Sequence, residues 1–163
     1  MPYTDKNLHE INRRYIEIKS IYKHLSMRLI TFSQTIKNDK AKEYMQQGVF
    51  RRLMTLSQCL DNVFCIFPPN REKRLSKAEL VNVDINLHAF FINISGIFDN
   101  LAWVFVHENG LYGSPKEGKI GRNEVGLFNK RTQEYLPKNL MAHLSKEQIN
   151  RWYKVIQKII GIH

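Results

Sequence analysis

The sequence predicts an all-α protein, a helical bundle of about four long helices with an irregular connector before the last one. Three observations lead there. Apolar residues from Leu8 to Ile36 recur at alternating spacings of three and four. Serine-led capping boxes at Ser76 and Ser145 mark helix starts. The stretch from Val83 to Glu108 is helix-length, mostly apolar and almost free of cations, inside a strongly basic chain. Lys and Arg exceed Asp and Glu in residues 1–40, 41–75 and 111–163, whereas acids prevail in 76–110. A segment so unlike its surroundings is expected at the centre of the fold, buried by the others.

The first helix carries the seam Leu8, Ile11, Tyr15, Ile18, Tyr22, Leu25, Leu29, Phe32 and Ile36, with charges between. It should run about 45 Å at 1.5 Å per residue. Aromatic residues at three seam positions favour packing inside a mixed bundle over an intermolecular coiled coil. Asn38-Asp39 punctuates, and a second helix is predicted from about Lys40 to Phe67. Its inward face is Ala41, Tyr44, Met45, Val49, Leu53, Leu56, Leu60, Val63, Phe64 and Phe67. Pro68-Pro69 ends it, because proline can neither donate to the helix nor continue it. Ser76 through Glu79 opens the central helix, which stops near Asn109-Gly110. Residues 111–136, with four glycines and a proline, form the connector, with room for a strand or hairpin around Ile120–Phe128. A brief helix over Pro137–His143 and a last one opened by Ser145 and running through Ile160 complete the chain.

At 163 residues the chain suits one domain over 1–163, able to bury roughly 70% of its unfolded surface. Net charge +10 and a pI near 9.7 favour nucleic acid, an anionic membrane face or an acidic protein as partner over a neutral ligand. Cys59 and Cys65, six residues apart on one helix, face about 120° apart and cannot bridge within it. That suits a reducing, cytoplasmic setting. A membrane span over Ile85–Val106 would have to immerse Asn86, His88, Asn93, Asp99 and Asn100, so none is expected.

On a helical wheel the central segment shows two polar stripes, Asp84/His88/Ser95/Asp99 and Asn86/Asn93/Asn100/His107, the second repeating every seven residues. Buried polar side chains must find partners, so bonding to neighbouring helices competes with a polar pocket or dimer seam as their role. Ser95 and His88 lie two turns apart, about 10 Å, too far for a Ser-His-Asp triad. The six histidines have no metal-ligand spacing, and neither metal nor cofactor is expected. Gly113 to Lys119 mimics a phosphate loop but has Ile120 where Ser or Thr should hold magnesium. Arg51, Arg52, Arg71, Lys73 and Arg74 are the densest cationic spots and candidate RNA contacts. Lys116, Lys119, Arg122, Lys130 and Arg131 follow in the connector. If they converge beside Tyr112 or Phe128, they suit phosphate contacts combined with base stacking.

The run Asn93-Ile-Ser-Gly96-Ile-Phe-Asp99-Asn100-Leu-Ala-Trp103, preceded by His88-Ala-Phe and followed by His107-Glu108, resembles a signature of a bacterial branch of the HEPN superfamily. Gly121…Gly126-Leu-Phe-Asn and Trp152-Tyr153 are similar to that branch as well, so the resemblance covers about residues 80–160. It implies a helical bundle, homodimerisation, and a defence or toxin-type system acting on RNA, with an antitoxin or other partner protein. For many members it also implies metal-independent RNA cleavage by an Arg-x4–6-His motif on a late helix. No arginine here stands five to seven positions before any histidine. Either the sequence stops short of a longer protein, or this member lacks the motif. The catalytic pair therefore transfers onto no residue, and only Asn93, Asp99, Asn100 and Trp103 carry over. The competing expectation is a non-enzymatic helical module for dimerisation or protein interaction.

Overall fold

A computed structural model describes residues 3–161, and all of its regular structure is helical. α1 spans Asp5–Thr35, with Thr4 accepting from Asn7 N–H at 3.3 Å as its cap. α2, Asp39–Glu43, runs without a break into a π-helical segment, Tyr44–Phe50, and on into α3, Arg51–Ile66. α4 is Lys77–Glu108. Beyond it come two 3-10 turns, Pro115–Glu117 and Arg122–Glu124, and three shorter helices. These are α5 Lys130–Gln133, α6 Lys138–Leu144 and α7 Glu147–Ile159. Counting the α2–α3 rod as one, the described residues form six helices, of which three are long.

The Ser76 box forms as expected. Glu79 N–H donates to Ser76 Oγ at 3.3 Å and Ser76 N–H donates to Glu79 Oε2 at 2.7 Å. The Ser145 box does not. Ser145 is the C-cap of α6, with helical backbone angles, and its hydroxyl donates back to the Met141 carbonyl at 2.7 Å. Lys146 precedes α7 with no side-chain cap. The strand or hairpin for which Ile120–Phe128 left room does not form: Ile120 makes one parallel bridge, to Tyr112, and the second 3-10 turn follows.

The central position of α4 holds for its C-terminal half only. One core lies on one side, from Ile36, Ala41, Met45, Val49 and Val104. A second lies on the other, from Ala102, Leu127, Leu136 and Leu144, with Phe98 and Phe105 packed against it. Phe91, Phe98 and Phe105 are half-buried. In the N-terminal half Leu80, Val81, Ile85, Leu87 and Ile92 are exposed. The reason is coverage: the N-terminal half lies beside α3, whereas α2, the π segment and the connector gather at the other end. α4 is long and apolar enough to cross a membrane by length and composition, and 33% of its most apolar window is buried.

α1 lies along α3, fastened by polar contacts. Tyr15 Oη donates to Asp61 at 2.6 Å, Lys19 Nζ reaches Ser57 and Asp61 at 2.7 and 2.6 Å, and Tyr15 stacks on Phe64 at 4.3 Å. The seam is less buried than its regularity suggests. No α1 residue is fully buried, and Ile18, Leu25 and Phe32 remain exposed. Phe67 also faces solvent, beyond the last turn of α3. Cys59 is buried and Cys65 exposed, both free.

Candidate functional site

The seven-residue asparagine stripe of α4 faces the α2–α3 rod. Each member donates its Nδ2 to the carbonyl one turn earlier: Asn86 to Asn82 and Asn93 to Ala89, both at 2.8 Å, and Asn100 to Gly96. That leaves each Oδ1 aimed across the helix pair. Asn86 accepts from Asn62 Nδ2 at 2.9 Å, and Asn93 accepts from Arg52 Nη1 at 3.1 Å. Asn100 stands where a β-carbon on Gly48 would come within 2.3 Å of its oxygen. Gly96 answers from the other helix, since a β-carbon there would meet the Arg52 guanidinium at 2.5 Å. Two glycines thus admit two polar side chains at the crossing. These contacts support the register-fixing role for Asn93 and Asn100.

Arg52 is therefore not a surface cation. Its guanidinium lies between the helices, and its Nε is buried with no partner among the described residues. Asp99 keeps one side open to solvent, yet crowding by neighbouring atoms raises its carboxyl above the usual value while Arg52 pulls it the other way. Tyr153 from α7 is raised first by burial and then by the Asp99 charge.

Of the remaining candidate cations, Arg71, Lys73 and Arg74 line one recess beside Phe67 and Leu80, and Arg51 lies apart. Arg71 is a structural clamp: Nη1 and Nη2 grip Glu79 at 2.9 and 3.0 Å, while Nε and Nη1 donate to the carbonyls of Lys73 and Ile66. Lys73 and Arg74 are exposed in the same loop. Arg51 is also exposed, but the whole of α3, about 24 Å at 1.5 Å per residue, separates it from them.

Trp103 belongs to a different surface. It stacks on Tyr44 at 5.4 Å and 8°, and on His107 at 5.5 Å and 25°. Tyr112 meets Trp103 edge-on at 5.3 Å and His107 at 5.2 Å. Such offset and edge contacts are the favoured geometries for aromatic rings. These four residues, with Lys40, Arg122 and Asn123, line a concave recess of about 490 Å3. Lys40 pairs with Glu43 at 2.6 Å, and Arg122 makes no ion pair among the described residues. Burial, then the charge of Lys40, holds the His107 imidazole below its ordinary pKa. His107 and Glu108 diverge as neighbours on a helix must. The carboxylate turns away to accept from the Lys37 and Asn38 backbone N–H groups at 2.9–3.1 Å, which lowers its pKa.

Local structure explains the assembly. Trp103 and His107 are four apart and share a face of α4. Ile120 N–H donates to the Leu111 carbonyl at 2.9 Å, and Gly113 N–H to the Ile120 carbonyl at 3.2 Å. With Ile120 fully buried, this bridge pins Tyr112 and brings Arg122 alongside. Gly118 turns the loop at φ +78°, a conformation suited to glycine. Of the connector cations Lys116, Lys119, Arg122, Lys130 and Arg131, only Arg122 lines the recess with Tyr112. Phe128 does not join them, being stacked on Tyr153 at 3.7 Å. Arg131 lies over Tyr135 and bonds Glu134 and the Gly118 carbonyl. The sequence marked none of Lys40, Tyr44 and His107 as binding residues: Tyr44 reads there as core, and His107 as part of the asparagine stripe and of the HEPN-like run.

Compared with family models, curated proteins and solved structures, the chain matches none.

Proposed function

We propose that this chain is a HEPN-like helical domain of a defence or toxin-type ribonuclease system, cytoplasmic and homodimeric, that binds RNA. The observation that carries the reading is the recess around Trp103, where four aromatic rings stand beside Lys40 and Arg122 on a chain of net charge +10. Aromatic faces stack bases and cations hold phosphates, the combination single-stranded nucleic acid requires. Trp103 is also one of the residues on which the HEPN resemblance rests. The proposal is one of binding: the arginine–histidine pair that the resemblance associates with cleavage maps onto no residue. An antitoxin or other partner protein belongs to the same proposal.

The test is RNA affinity against salt. Removing one phosphate-binding cation, by Lys40→Ala or by Arg122→Ala, should lower the steepness of the log–log salt dependence by about 0.7 for a single strand. Affinity that is flat in salt sinks the RNA reading. It would favour the second reading, a non-enzymatic dimerisation or protein-interaction module. One observation speaks for that rival. Ile18, Ile21, Leu25, Leu53, Ile94 and Phe98 help line an open, almost wholly apolar groove of about 370 Å3 between α1, α3 and α4.

A further inference from the structure

We infer that the Trp103 recess is a socket for one unpaired nucleobase together with its own phosphate, the base lying against Trp103, His107 and Tyr112 and the phosphate held by Arg122 and Lys40. The inference deepens the RNA reading and rests on it for the source of the nucleotide, but its geometry stands alone.

Three ligand chemistries suit a cluster of aromatic rings, and the surrounding charges separate them. A quaternary or methylated ammonium would be drawn to the ring faces. Here it would meet Lys40 and Arg122 at the rim, with Glu43 offsetting only the first. A neutral aromatic ligand would leave Arg122 without a counter-charge. A planar ring that carries an anion satisfies both rings and cations, and a nucleotide is such a ligand. The recess, about 490 Å3, is within the usual size of small-molecule sites. Asn123 offers both a donor and an acceptor to a base edge.

The socket also discriminates among nucleic acids. Bases inside a duplex have both faces covered by their neighbours, so only an unstacked base can lie on Trp103. Tyr112, 41% exposed, is the one exposed ring of the four, and in the proposed complex it would close over the base. Burial and then the Lys40 charge both oppose protonation of His107. It therefore presents a ring face and a hydrogen-bonding edge without adding charge.

The chain has two tryptophans, so Trp152→Phe leaves Trp103 as its sole indole reporter. Adenosine 5′-monophosphate and a short single-stranded oligoadenylate should both quench Trp103 emission saturably, and a blunt RNA duplex should not. Tyr112→Ala, a change at an exposed ring, should weaken both ligands about tenfold. Arg122→Ala should weaken the monophosphate much more than adenosine, with circular dichroism checking that each variant is folded. Silence of Trp103 towards both ligands, or quenching unmoved by Tyr112→Ala and Arg122→Ala, overturns the socket. If anisotropy then shows salt-dependent binding of the oligonucleotide while Trp103 stays silent, the RNA reading survives and the socket falls. If the monophosphate quenches but the oligonucleotide does not bind, the socket stands as a free-nucleotide site and the RNA reading falls.

Discussion

At Gly48 a β-carbon would stand 2.3 Å from Asn100 Oδ1, well inside any tolerable contact. The obstruction is an asparagine tied to the Gly96 carbonyl, so it cannot simply swing away. Gly48→Ala is therefore expected to destabilise the fold by about 1–3 kcal/mol through overpacking, read as a lower denaturant midpoint at unchanged slope. Adding Asn100→Ala should recover part of the loss, and a single mutant as stable as the parent would refute the close approach. The period of Asn86, Asn93 and Asn100 was legible in the sequence, and so was their need for partners. Which residues would partner them was not. Arg52 lies 41 positions from Asn93 and Gly48 lies 52 from Asn100, and nothing local distinguishes a glycine facing an asparagine from one facing water.

The start of α4 shows how far local chemistry reaches at the scale of an element. Ser76 and Glu79 form their box because both partners lie within one turn. Arg71 then adds a grip that the sequence did not reveal, since it depends on how the loop after Pro68-Pro69 folds back. Arg71, followed by the bonds from Ser76, lowers the Glu79 carboxyl from 4.5 to about 2. The folded-state pKa is depressed, so the stabilisation is fully present above about 4.5 and is lost as pH falls towards about 2. Glu79→Gln should flatten the wild-type loss of stability across that interval, measured by denaturation at a series of pH values. Parallel curves for the two proteins would show that the clamp contributes nothing. The Ser145 box failed for a complementary reason. Ser145 caps the C-terminus of α6, and a backbone already in the helical region cannot also serve as the extended cap of the next helix.

For the whole molecule, the distribution of apolar surface matters more than its amount. Ile16, Ile21, Met27 and Ile30 on α1 are exposed, as are Leu80, Val81, Ile85 and Ile92 on α4. These residues lie on several faces; the groove between α1, α3 and α4, with Ile21 and Leu25 on its wall, is the surface that a second copy would cover in the proposed homodimer. Ile21→Glu, at a groove position already 56% exposed, should shift the protein towards monomer in light scattering while leaving the Trp103 recess intact. A wild-type chain that is strictly monomeric at high concentration removes the dimer from the proposal.

The helical class, the position of the long rods, the break at Pro68-Pro69 and the capping of α4 followed from the sequence, because periodicity, proline chemistry and capping act within a few residues. Tertiary structure decided the rest. It sent Arg52 inward to Asn93, spent Arg71 on Glu79, left half of α4 uncovered, and drew Lys40, Tyr44, Trp103, His107, Tyr112 and Arg122 into one recess. Those outcomes depend on which distant surfaces meet when the rods pack, and the free energy of such contacts is not contained in any local stretch of chain.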